Sequence, residues 1–276
     1  MSEPARPGDR IRTDTSQQSP SAGRLLAATP VLMLLAHYAA VLPHEFSHSF
    51  VAWFLGIKSD PWNIHWGGTS VGNILLLYNI DEKVDYQAAL AEGRNAAVAL
   101  VALAGPGMNG LLYLLARFVA PLWRREARPF VAYLTFWFLL MQLGNLYDYV
   151  PVRVAASDGD VRHWIWATHM SPWTIYVVVG YLVLWAMIDT YRLVLPRALD
   201  ASGICTPPGR ALVLITATAL LFGYFAIPGL LESDDVSLFV SRTSLLLIPV
   251  VILANWRRIV VGGAAGRDCR ARERDV

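Results

Sequence analysis

Six apolar segments, at about 25–56, 94–120, 128–149, 172–194, 209–231 and 237–257, constrain this chain more than any other feature. As helices they are long enough to cross the ~30 Å hydrocarbon core of a bilayer, and no interval between them is large enough for a soluble domain. Of the 276 residues 55% are hydrophobic and only 16% charged, whereas ordinary soluble domains carry about 25% charged residues. The expected fold is therefore all-α: a polytopic membrane protein of about six transmembrane helices, with the lipid bilayer as its solvent. Ten Trp and eleven Tyr supply candidate anchors for two membrane interfaces.

Residues 1–23 are rich in Ser, Thr, Pro, Gly and Arg and read as a disordered polar tail. Residues 24–258 read as a single transmembrane domain, and 259–276 as an Arg-rich tail. Arg24 followed by apolar Leu25 to Ala40 has the look of a signal peptide, but cleavage near Ala40 would leave the next apolar stretch too short to span, so the uncut segment is expected. The first segment would be roughly 50 Å long as one helix, so it must tilt, kink or protrude. Pro43 predicts a bend, and Pro30 a position near the helix start. In the long polar interval 57–93, the glycine-rich run Trp66–Asn73 followed by Ile74–Tyr78 predicts a short hairpin or re-entrant segment after the first helix.

Arginines before residue 25, at 124–128, at 192–210 and from 257 onward fall on one side of the predicted topology. Lys58, Lys83, Arg94, Arg153 and Arg162 fall on the other, a division of 16 against 5. The positive-inside rule then puts both termini in the cytoplasm, with the cell membrane as the expected location. The net charge of +2 and the absence of a basic cluster interleaved with aromatics argue against nucleic acid as a partner. Cys205 and Cys269 belong to no metal-binding spacing.

Within the first span, His44-Glu45-Phe46-Ser47-His48 is an H-E-x-x-H motif. Residues four apart share a helix face, so both imidazoles can bind one Zn²⁺ while Glu45 reaches the water beside it. From the chain's own His and Glu frequencies about 0.003 such motifs are expected by chance. A hydrolytic zinc site needs a third protein ligand, and the candidates are downstream carboxylates: Asp148 near the end of the third span, and Asp158 and Asp160 just beyond it. Between these regions, Ala104-Gly105-Pro106-Gly107-Met108-Asn109 interrupts the second span with residues that thin a helix and let backbones approach.

With these elements in order, the chain resembles the site-2 protease family of intramembrane zinc metalloproteases. The resemblance rests on H-E-x-x-H at 44–48, A-G-P-x-x-N at 104–109, and an N…P…D-G element from Asn145 through Pro151 to Asp158-Gly159. It implies a catalytic core at about 25–170, accessory helices at about 172–257, one Zn²⁺ per chain and transmembrane protein substrates. It also implies His44, His48 and Asp158 as zinc ligands, Glu45 as general base, and Asn109 and Asn145 as residues that orient substrate or stabilise the oxyanion. Ser157 stands where the family has an apolar residue, and the stretch from Asn145 is longer than usual, so Asp148 and Asp160 remain rival ligands. In the family the motif helix commonly runs toward the cytoplasm, whereas the arginine count sends this one outward. A non-catalytic scaffold or chaperone of the same fold is the alternative function. A diiron lipid enzyme would need more than six histidines.

Other polar residues have ordinary expectations. His37 suits a helix–helix hydrogen bond, Asp189 and Arg192 a helix-end pair, and Arg117 and Arg242 snorkelling to an interface.

Overall fold

The computed structural model describes residues 20–120 and 128–262. Most of the 1–23 tail, the arginines at 124 and 125, and the 259–276 tail beyond Gly262 lie outside the described residues. The protein is all-α, with no strand among the described residues and a single isolated bridge between His65 and Asp81. Among the described residues six helices are long and apolar enough to cross a membrane: Ser21–Phe54, Asn95–Val119, Pro129–Val152, Pro172–Ala201, Pro207–Leu230 and Asp235–Gly262.

Helix α1 (Pro20–Phe54) begins ten residues before Pro30 and continues through both internal prolines. Pro30 is therefore inside the helix, and the first turn is made from Pro20, Ser21 and Gly23 of the predicted tail. Two short helices follow, α2 (Val71–Leu76) and α3 (Tyr86–Ala91). The interval 57–93 folds back on itself as the hairpin reading expects, His65 and Asp81 exchanging two backbone hydrogen bonds of 2.9 Å, with α2 carried between them and laid against α1. His37 Nε2 lies 2.7 Å from the Leu76 carbonyl, and the Tyr38 hydroxyl donates to the Ile74 carbonyl, so two side chains of α1 satisfy the end of α2.

Helix α4 (Asn95–Val119) also passes unbroken through its proline, Pro106. Helix α5 (Pro129–Tyr147) is the centre of the bundle, with Tyr133, Phe136, Trp137, Leu139, Leu140 and Leu143 fully buried. It continues into a wide turn, Asp148–Val152, where Val150 leaves helical geometry at φ −145°, ψ 113°. The residue before a proline is pushed to extended backbone, and Pro151 follows. A short helix, α6 (Asp160–Thr168), then packs on α4. The remaining helices are α7 (Pro172–Asp189) with its continuation α8 (Leu195–Ala201), α9 (Pro207–Phe222), α10 (Ile227–Leu230) and α11 (Asp235–Trp256).

The fourth and sixth spans run past their predicted ends at 194 and 257 through π-helical turns, Thr190–Val194 and Arg257–Gly262. The buried carboxylate beside the first of these turns is partnered across the bundle. Asp189 accepts two bonds from Arg117 of α4, at 2.6 and 3.1 Å. Arg117 is thus an interhelical partner rather than a snorkelling residue, and Asp189 is paired across the bundle instead of with Arg192.

Candidate metal centre

His44 and His48 leave α1 on one face, and both are buried. That face meets α4 at Gly105, where a Cβ would lie 2.1 Å from His48 Nε2 and 2.5 Å from His44 Nε2. Any residue but glycine would fill the space between the two nitrogens. The A-G-P element therefore brings bare backbone up to the histidine pair.

The second ring nitrogens determine what Nε2 can do. His48 Nδ1 lies 2.6 Å from the Val101 carbonyl, which can only accept, so Nδ1 carries the proton. Asn109 Nδ2 donates to the Ala40 carbonyl at 3.2 Å and to Gln142 Oε1 at 2.6 Å, which turns its Oδ1 toward His44 Nδ1, 2.6 Å away. Both neutral rings thus present an Nε2 lone pair to the same point, an orientation characteristic of metal-ligating histidines.

Asp160, the first residue of α6, completes the group. Its Oδ2 lies 3.1 Å from His44 Nε2 and 3.2 Å from His48 Nε2, and the two Nε2 atoms are 3.1 Å apart. His44, His48 and Asp160 form a buried group able to bind a metal ion. Facing lone pairs at this separation repel unless a proton or cation lies between them. Donors about 2.0–2.1 Å from a tetrahedral zinc lie about 3.3 Å from one another, so the set fits a small tetrahedral cation.

Asp158 does not join this cluster. Its side chain is 83% exposed, 3.2 Å from His163 Nε2, and accepts from the Gly159 amide. Gly159, at φ 98°, turns the chain between the two aspartates, so the predicted tight turn is present but presents the residue after the glycine. Asp148 accepts two bonds from Arg153, at 3.0 and 2.7 Å, and is held away.

Glu45 is partly buried and shares its surroundings with the carboxylates of Glu82, Asp160 and Asp81. Asn109 is fully buried against His44, as described. Asn145 is half-buried and its Nδ2 donates to the Met141 carbonyl of its own helix at 3.0 Å. Among the described residues no hydrogen bond joins it to the histidines.

Two contributors escaped the sequence reading. Tyr149 stacks on His44 with ring centroids 5.1 Å apart and planes 7° apart, and its hydroxyl lies 3.1 Å from His44 Nε2. Gln142 orients Asn109; a glutamine inside an otherwise apolar span is the signal the sequence offers for it. Farther out, the Tyr86 hydroxyl donates to Glu82 and its ring stacks on His163 at 4.0 Å, bracing α6 from the 57–93 segment. Burial lowers the His163 pKa, against the opposing pull of Asp158.

No family model, curated protein or solved structure matches the chain.

Proposed function

We propose that this protein is an intramembrane zinc metalloprotease that hydrolyses peptide bonds of transmembrane protein substrates. The supporting observation is the convergence of two oriented Nε2 lone pairs and the Asp160 carboxylate inside an apolar bundle, beside Glu45 of the same helix. Ionisable groups at such depth are costly and are usually functional. The proposed ligands are His44, His48 and Asp160, with Asp160 in the role that the family resemblance gives to Asp158.

Zinc, when bound, supplies Lewis acidity and lowers the pKa of water toward neutrality. The protein's own groups do the rest. The Val101 carbonyl and the Asn109 carboxamide hold the two imidazoles in one tautomer and orientation. Glu45 accepts a proton at its carboxylate from the attacking water and returns it to the leaving amine. The Tyr149 hydroxyl, at the edge of the same space, is a donor available to the scissile carbonyl oxygen. Asn145, one helical turn before Tyr149, is available to hold substrate backbone.

The motif lies roughly 36 Å along α1 from Pro20 and about 9 Å from Phe54. With the termini in the cytoplasm of a cell-membrane protein, as the arginine division favours, the site is nearer the outer face.

The test is zinc content measured alongside cleavage of a panel of transmembrane helices. Glu45→Gln keeps zinc and loses cleavage by at least about 10²-fold, Asp160→Asn loses zinc, and Asp158→Asn keeps it. Unchanged cleavage by Glu45→Gln would sink the mechanism. Zinc lost from Asp158→Asn but kept by Asp160→Asn would reverse the ligand assignment.

A further inference from the structure

A cavity of ≈ 950 Å³ runs between the fourth and sixth spans and has no part in the metal chemistry. Its walls are apolar and aromatic for most of their length, with Val183 and Leu184 of α7 facing Phe239, Leu247 and Val251 of α11. It extends from Tyr176, near the start of α7, to Arg192 and Arg258 beyond the other ends of the two helices. Sixteen residues of helix correspond to about 24 Å, most of one hydrocarbon core.

Among the described residues no carboxylate pairs with the arginine end of the cavity. No Asp or Glu lines the cavity. Asp189, the carboxylate one turn before Arg192, is occupied by Arg117 through two hydrogen bonds. Arg192 is exposed. Arg258 is held in place by bonds from Nη2 to the Tyr191 carbonyl at 2.9 Å and to Asn255 Oδ1 at 2.7 Å, which direct it to the turn that carries Arg192.

We infer that this cleft binds one anionic glycerophospholipid, its phosphate between Arg192 and Arg258 and its acyl chains along α7 and α11. Guanidinium groups match phosphate oxygens in pairs, and basic pockets between transmembrane helices suit such head groups. A transmembrane helix is a poorer occupant. Single spans bring Lys or Arg to the arginine-rich side of the membrane, where this pair would repel them. The inference does not depend on the proposed protease activity.

Native mass spectrometry of the purified full chain, titrated with dioleoyl phosphatidylglycerol or dioleoyl phosphatidylcholine, tests it. One phosphatidylglycerol is retained with about twenty-five-fold preference, from about five-fold for each of the two arginines. The preference falls to within about two-fold in Arg192→Gln/Arg258→Gln and survives in Arg192→Lys. Ala254→Trp, on the cavity wall, weakens both lipids. The thermal unfolding midpoint reports whether the double variant is folded. If it is not, Arg192→Gln alone carries the test with about a five-fold loss. Equal retention of the two lipids by the wild type, a preference unchanged in folded arginine variants, or displacement of the lipid by a single-span model helix would overturn the inference.

Discussion

The carboxamide oxygen of Asn109 lies 2.6 Å from Nδ1 of His44, while its nitrogen is held by Ala40 and Gln142. One residue of α4 thus determines which nitrogen of a histidine on α1 is free to bind a cation. Outer partners of this kind are worth about 10–100-fold in metal affinity. Asn109→Ala is expected to weaken zinc binding by that amount, measured by competition with a chromophoric chelator. Gln142→Leu, one step removed, weakens it less. Wild-type affinity in Asn109→Ala would show that His44 is oriented by something else.

Gly105→Ala places a methyl group 2.1 Å from His48 Nε2. Metal binding should be abolished, and overpacking should cost about 1–3 kcal/mol of stability. Gly107→Ala on the same helix is the control, because a Cβ there meets nothing within 4 Å. Zinc content separates the two variants, and equal retention would contradict the close approach of α4 to the histidines.

The Arg117–Asp189 pair joins the second and fourth spans, with side-chain exposures of 23% and 8%. Removing one member of a buried pair leaves an uncompensated charge and costs about 3–5 kcal/mol, whereas replacing both with apolar residues is often near neutral. Arg117→Leu should therefore unfold at lower temperature than Arg117→Leu/Asp189→Leu. If the double variant loses the sum of the single losses, the two residues do not interact as described.

His163 gives stability a pH dependence whose sign can be stated. Burial beneath Tyr86 lowers its folded pKa, while in the unfolded chain it titrates near 6.5. The unfolded state therefore binds the proton first as pH falls. Its stabilisation is complete above about pH 6.5 and declines below that value. In chelator-treated protein, the midpoint difference between wild type and His163→Phe should narrow or reverse from pH 7.5 to pH 5.5. A difference independent of pH would mean that the ring titrates normally.

The sequence by itself determined whatever depends on local chain length and spacing. Bilayer thickness demands about twenty apolar residues in succession, so six spans were legible before any contact was known. A helical period brings residues four apart together, so His44 and His48 were legible as a pair. Span ends were less so, because Asp148, Asp189 and Arg257 look like terminators until their continuing turns and partners are seen. Tertiary structure decided the relationships made across the bundle. Asp158 and Asp160 are two residues apart, and the turn at Gly159 together with the packing of α6 on α4 selects Asp160, 116 residues from His44. Asp189 prefers Arg117, 72 residues away, to Arg192 three residues on, because its side chain faces α4 in the interior, where an unpaired carboxylate is costly. That choice leaves Arg192 at the mouth of the lipid-facing cleft, a position that no local pattern in the chain encodes.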